Sequence, residues 1–142
     1  MTLHGDGHNS RNYLFVEDVA RAFDVILHRG EIGSIYNIGG TNELTNFEVA
    51  RNLIQILCGV EGGEEDIAKH VRYVEDRAFN DLRYQIDSTR LHSLGWRESV
   101  SWRDGIQKTV DWYMEHSSNW PGELVEAALQ AHPRMLGSEG IF

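Results

Sequence analysis

Gly5-Asp6-Gly7-His8-Asn9-Ser10-Arg11-Asn12-Tyr13-Leu14-Phe15-Val16-Glu17-Asp18 is the stretch on which the fold turns. It passes from a glycine-rich polar loop, through an aromatic extended run at Tyr13 to Phe15, into a helix expected from Glu17 to His28. Val19, Ala20, Phe23, Ile26 and Leu27 recur at three- and four-residue spacing and give that helix an apolar face. Glu17 and Asp18 fall in its first turn, where acids favour the helix dipole, and Gly30 is a natural stop. Residues 1–12 read as loop throughout.

Working outward, Ser34 to Ile38 reads as a buried strand ended by Gly39-Gly40. Thr45-Asn46-Phe47-Glu48 has capping-box spacing and opens a helix with Val49, Leu53, Ile56 and Leu57 on its apolar side, ending near Gly59. Glu61 to Asp66 reads as a solvated acidic loop, and Val71 to Val74 as a second strand. Ser88 to Leu94 reads as a short helix capped by Asp87 or Ser88. Ser101, with Asp104 in the following turn, caps a helix carrying Trp102, Ile106, Val110 and Tyr113 on one face. Regularity fades after Ser117, apart from a helical stretch at Glu123 to Ala131, and Pro133 to Phe142 reads as tail. There is no internal repeat and no low-complexity segment.

With 142 residues, 41% hydrophobic and 25% charged, the chain has the make-up of one soluble globular domain or a large part of one. Its net charge of −9 disfavours nucleic acid, because such binding runs on Lys and Arg neutralising phosphates. A small anion needs only a few well-placed arginines. Cys58 is the single cysteine, which excludes an intrachain disulfide and a thiolate metal cluster and fits a reducing, cytoplasmic setting. Its neighbours Ile54, Ile56 and Leu57 predict a buried thiol. No apolar run approaches the ~18–20 residues needed to span a bilayer, and a signal peptide is not expected.

The candidate site residues each have two readings on local sequence alone. Arg11 could grip two phosphate oxygens through its planar fork, or lie on the surface as most arginines do. Asn46 could satisfy backbone N–H groups at a helix start, or place its amide on a ligand where a helix N-terminus attracts anions. Asp76, Arg77 and Asn80 form the densest polar cluster, readable as phosphate and nucleotide contacts or as a loop with an internal Asp–Arg pair. Gly5-Asp6-Gly7 is a turn signal and not the spaced glycine triplet of a dinucleotide fold; a phosphate-loop motif is also missing. Of the seven histidines only His4 and His8 share an i, i+4 spacing, which in a glycine-rich loop does not put them on one face; no catalytic triad has local support, and Trp96, Trp102, Trp112 and Trp120 read as core or lobe-packing residues.

Taken in order, three blocks resemble the nucleotide-sugar 4,6-dehydratases, which are extended short-chain dehydrogenase/reductase enzymes. They are Gly5 to Asp18, Tyr36-Asn37-Ile38-Gly39-Gly40 followed by Asn46, and Asp76-Arg77-Ala78-Phe79-Asn80-Asp81-Leu82-Arg83-Tyr84. The resemblance runs over residues 3–116 and is to the C-terminal half of such an enzyme. It implies that Arg11, Asn46, Asp76, Arg77 and Asn80 hold the nucleotide diphosphate of the sugar substrate. Ala78 stands where the family has proline, and Asn80 where many bacterial thymidine-nucleotide enzymes have histidine. Phe79-Asn80 and His132-Pro133-Arg134-Met135-Leu136 look more like the plant rhamnose-synthase branch, which points to UDP with dTDP as the alternative.

The resemblance therefore implies an α/β chain: the C-terminal substrate-binding portion of an extended short-chain dehydrogenase/reductase fold, without the N-terminal Rossmann core. Residues 1–116 would be the substrate-binding portion and 117–142 a tail. The full enzymes use NAD, lose water across C5–C6 of the sugar and work as homodimers; the NAD motif and the Tyr-x-x-x-Lys pair are not in this chain. No catalytic residue and no cofactor are expected here, so the partners would be a nucleotide sugar and the missing NAD-binding half, with no nucleic acid and no membrane. Met1 aligns with an internal position of those enzymes. Three alternatives stand beside this reading: a non-catalytic nucleotide-sugar binding or regulatory module, a truncated product without function, and a parent enzyme of the related epimerase or decarboxylase type.

Overall fold

The computed structural model describes residues 1–76 and 79–129. Two small sheets and a set of helices are woven together. Strand β1 (Thr2–His4) pairs in parallel with β4 (Arg72–Val74), and β2 (Ser10–Tyr13) pairs antiparallel with β3 (Asn42–Thr45). In the second pair Ser10 faces Thr45 and Tyr13 faces Asn42, so Arg11 and Tyr13 share one face at the strand period of two. The expectation that residues 1–12 form a loop is corrected. The main-chain groups of Thr2 to His4 are satisfied by Arg72 to Val74, a pairing across 70 positions that no local pattern announces.

Helix α1 (Val16–Arg29) lies within a residue of its expected bounds. Its inward side carries Asp18 and Ala22, with Val25 and Ile26 packed on the core of Ala22, Leu91 and Trp96. Phe23 and Leu27, expected on the buried face, are 62% and 81% exposed. Helix α2 (Asn46–Cys58) has the expected capping box: the Glu48 N–H donates to Thr45 Oγ1 at 3.1 Å, and the Glu48 carboxylate accepts the Thr45 N–H at 2.7 Å. It stops at Gly59, whose left-handed φ of 64° favours glycine. Ala50 and Ile54 are its buried residues, and it packs on α3 (Glu64–His70) and α5 (Trp102–Glu115).

Two further expectations change. Glu64 to Asp66 are not loop but the first turn of α3, where three acids meet the helix N-terminus and Ile67 anchors the helix in the interior. Ser34 to Ile38 belongs to no sheet among the described residues. Side chains take its main-chain groups instead: Arg90 donates to the Ile35 carbonyl at 3.1 Å, and the Gly39 N–H donates to the Ser88 hydroxyl at 2.8 Å. Ser88 is thereby used up and does not cap α4 (Thr89–Ser93); Asp87 accepts the Thr89 N–H at 2.8 Å in its place. Cys58 is exposed, not buried: it lies in the last turn of α2 between exposed Leu57 and Gly59, with its Sγ 3.7 Å from Nε2 of His70. Ser101 caps α5 as expected, accepting the Asp104 N–H at 3.2 Å. A single 3-10 turn (Ser117–Asn119) and α6 (Gly122–Leu129) complete the described chain. Trp96 is core and Trp102 half-buried, while Trp112 and Trp120 remain about half exposed.

Candidate functional site

Glycine geometry builds the floor of the site. The chain leaves β1 through the turn Gly5 to Gly7, and the Gly5 N–H donates to the Val74 carbonyl at 2.9 Å. At Gly7, φ is 77° and a Cβ would stand 3.3 Å from Cβ of Phe47, so both backbone and space require glycine. Its carbonyl accepts the Phe47 N–H at 3.0 Å, which seats the turn against the first residues of α2. On the other side a Cβ at Gly5 would meet the Asp76 carboxylate at 3.0 Å. The turn thus touches both the Asn46 and the Asp76 blocks.

Arg11 extends from β2 towards residues 80–84. Its guanidinium donates to the carbonyls of Ser10 and Asp81 at 2.6 and 2.9 Å and to Asn80 Oδ1 at 3.4 Å. It also stacks on the Tyr84 ring, 4.5 Å from the centroid. Those bonds use three of the five guanidinium N–H groups. Asn80 in turn donates to Asp76 at 2.7 Å. Arg11, Asn80 and Asp76 are therefore one connected cluster.

Asn46 joins this cluster through the backbone: its N–H donates to the Asn9 carbonyl at 3.0 Å. Its side-chain oxygen accepts the Tyr13 hydroxyl at 3.3 Å, and Tyr13 lies on the same face of β2 as Arg11. Burial pushes the Tyr13 hydroxyl pKa up, with Arg11 acting in the opposite sense, so the phenol stays a neutral donor. Behind it a cavity of about 250 Å³ is lined by Tyr13, Val49, Leu53, Trp102 and Ile106. Arg77 and Ala78 lie outside the described residues.

Three contributors escape sequence reasoning. Asn9 is 5% exposed and donates its side-chain amide to the carbonyls of Asn80 and Asp81 at 3.4 and 3.2 Å. Glu43 clamps Arg83 through two bonds of 2.5 and 2.6 Å and takes the Ser10 hydroxyl at 2.7 Å. These bonds, led by the one from Arg83, hold the Glu43 carboxyl below its usual range. Tyr13 is the third, and its spacing of two from Arg11 on a strand is the signal that could have found it. Among the described residues, no three His, Cys, Asp or Glu side chains are placed to hold a metal, and no helix is long and apolar enough to cross a membrane.

A strand, a glycine turn and the first residues of a helix thus meet beside an arginine in an α/β chain. Comparison places it more closely. Residues 1–109 match the family model described as GDP-mannose 4,6 dehydratase, and the chain belongs to this family. A trifunctional UDP-glucose 4,6-dehydratase/UDP-4-keto-6-deoxy-D-glucose 3,5-epimerase/UDP-4-keto-L-rhamnose reductase of Arabidopsis thaliana is 46% identical over 99% of this chain and 20% of its own length. The dTDP-D-glucose 4,6-dehydratase of Homo sapiens is 42% identical over 92% of this chain and 37% of its own. The crystal structure of a dTDP-glucose 4,6-dehydratase from Streptomyces venezuelae with NAD bound superimposes with a TM-score of 0.74 at 39% identity, covering 84% of this chain and 35% of that one. A UDP-glucose 4-epimerase from Thermotoga maritima, determined with UDP-glucose, gives 0.68 at 27% identity over 81% of this chain and 35% of that one.

The chain thus spans between a fifth and about two fifths of these relatives. The expectation of a C-terminal half is corrected: in the trifunctional relatives the match falls in the N-terminal part of the protein. A dinucleotide loop opens directly into a helix, whereas Gly5 to Gly7 runs into β2. The Gly5 to Gly7 turn is therefore not a dinucleotide loop, and no step through NAD is assigned to it.

Proposed function

We propose that this chain is the substrate-side portion of a nucleotide-glucose 4,6-dehydratase and holds the nucleotide diphosphate of the sugar. Arg11 and Arg77 balance the diphosphate; Asn46, Asp76 and Asn80 orient the nucleotide. Residues 1–116 carry the site. The observation that carries this reading is the convergence of Arg11, the Asn80–Asp76 pair, the glycine turn and the first residues of α2, in a fold where Asn9 meets Asn80 across 71 positions. The bonds Arg11 makes are to main-chain and amide oxygens, which a phosphate can replace with a stronger, charge-assisted acceptor. UDP is the favoured base, with dTDP second, on the identity to the plant trifunctional enzymes.

In this proposal the NAD-binding half is a separate part of the enzyme, which acts in the cytoplasm as a homodimer. Phe23 and Leu27 of α1, with Ile32 and Ile35 beyond it, are the exposed apolar residues that this half would cover. Ser34 to Ile38 beside them, in no sheet among the described residues, would add to it as a strand. Two thirds of the length of the human relative lies outside the matched region, enough for such a domain.

Calorimetric titration of the purified chain with UDP and dTDP tests the reading, beside an Arg11→Ala, Arg77→Ala double variant. Saturable binding that the double variant loses is the expected result. A folded chain that binds neither nucleotide would contradict it.

A further inference from the structure

We propose that Asn9 is the positioning residue of this site, locking the two loops that present Arg11, Asn80 and Asn46 to the diphosphate. The inference rests on the proposed nucleotide-sugar reading and adds to it a residue that touches no ligand. Asn9 sits where the three sequence blocks cross. Its side-chain amide is a double donor, and its two N–H···O contacts end on successive carbonyls, those of Asn80 at 3.4 Å and Asp81 at 3.2 Å. The Asp81 carbonyl also accepts from Arg11 at 2.9 Å, so Asn9 and Arg11 hold the same oxygen from two directions. Its own carbonyl takes the N–H of Asn46, the first residue of α2.

Burial gives these bonds their force. At 5% exposure Asn9 has little water to turn to while the loop is in place, so both amide N–H groups depend on the Asn80 and Asp81 carbonyls. The adjacent backbone is fixed in the same sense: the Ser10 N–H donates to the Leu82 carbonyl at 2.8 Å, and Ser10 bridges Arg83 in parallel register. A shift of 80–81 would carry away the Asn80 side chain and one of the acceptors that aim the Arg11 fork. Asn9 therefore acts on ligand binding through Arg11 and Asn80.

Two variants of the full chain test this. Asn9→Asp keeps the shape but turns the double donor into oxygens facing carbonyls; Asn9→Ala removes the amide without adding charge. The first measurement is ligand-free amide hydrogen exchange. Ser10 N–H should exchange about tenfold faster in either variant, the size expected when one buried hydrogen bond is lost, while Val110 in α5 is unchanged. The second is UDP affinity in a double-mutant cycle with Arg11→Ala. Asn9→Ala should weaken binding about tenfold on its own and by clearly less once Arg11 is gone, the remainder passing through Asn80. Unchanged exchange at Ser10, or losses that simply add, would overturn the inference. Faster exchange at Ser10 in a chain whose unaltered form binds no UDP would support the lock and count against the nucleotide-sugar reading alone.

Discussion

Asp18, fully buried on α1, and Ser99, 81 positions later, are joined by three hydrogen bonds: the Ser99 N–H reaches both carboxylate oxygens at 3.2 Å and its hydroxyl reaches Oδ1 at 3.1 Å. The Val100 N–H adds a fourth at 3.1 Å, Arg21 pairs with the same carboxylate, and Trp96 donates its indole N–H to the Asp18 carbonyl at 3.0 Å. One buried acid thus ties the first long helix to the segment that leads into α5.

Burial alone would raise the Asp18 pKa, but the bonds from Val100 and Ser99, with the charge of Arg21, outweigh it and leave the group below its ordinary value of 3.8. The unfolded chain then binds the proton more readily, so this contribution is complete above the ordinary value and is lost as pH falls through the depressed one. Acid titration of stability should show the loss below about pH 4. Asp18→Ala should cost about 3 kcal/mol at neutral pH, since buried donors lose their partner, and should remove that part of the acid dependence. A denaturation series from pH 2 to 7 checks both.

Arg11→Lys should behave almost like Arg11→Ala. Lysine keeps the charge but not the fork, and it cannot bridge two phosphate oxygens while also stacking on Tyr84 in the same way. Each variant should lose roughly 10- to 100-fold in UDP affinity, the worth of one or two charge-assisted bonds. A lysine variant that binds as tightly as the unaltered chain would show that charge alone is used.

The capping box at Thr45 is local and gives a local test. Thr45→Ala removes the acceptor of the Glu48 N–H and should lower stability by about 1 kcal/mol. Urea denaturation should show a lower midpoint with an unchanged slope.

Phe23 is 62% exposed, so Phe23→Glu should leave the stability of this chain within about 0.5 kcal/mol. On the proposed docking face the same change should weaken association with the NAD-binding half by about 2 kcal/mol, roughly thirtyfold. Co-purification and sedimentation of the two halves measure this.

What the sequence disclosed, and what it hid, follows the reach of each interaction. Helices α1, α2 and α5 were legible because their signals are local: a three- to four-residue apolar period, the Thr45–Glu48 box, the Ser101 cap and the Gly59 stop. Strands β1 and β3 were not, because each is defined by a partner 29 or more positions away and is only three or four residues long. Ser34 to Ile38 shows the opposite case. Its composition is that of a buried strand, yet its Ile35 carbonyl meets Arg90, the N–H of Gly39 just beyond it meets Ser88, and Ile35 faces outward. In the candidate site, Arg11, Asn46, Asp76 and Asn80 were readable through family resemblance, whereas Asn9 was not, since a buried asparagine and an exposed one look alike until the loop above it is known.

The central claim is that three separated blocks form one diphosphate site. Backbone amide NMR of the full chain, recorded as UDP is added, tests it most directly. The account predicts saturable shifts concentrated at Gly7, Arg11, Asn46, Phe47, Asn80 and Asp81, with α6 silent. Shifts confined to α5 and the cavity behind Tyr13, or no shifts in a well-dispersed spectrum, would contradict it.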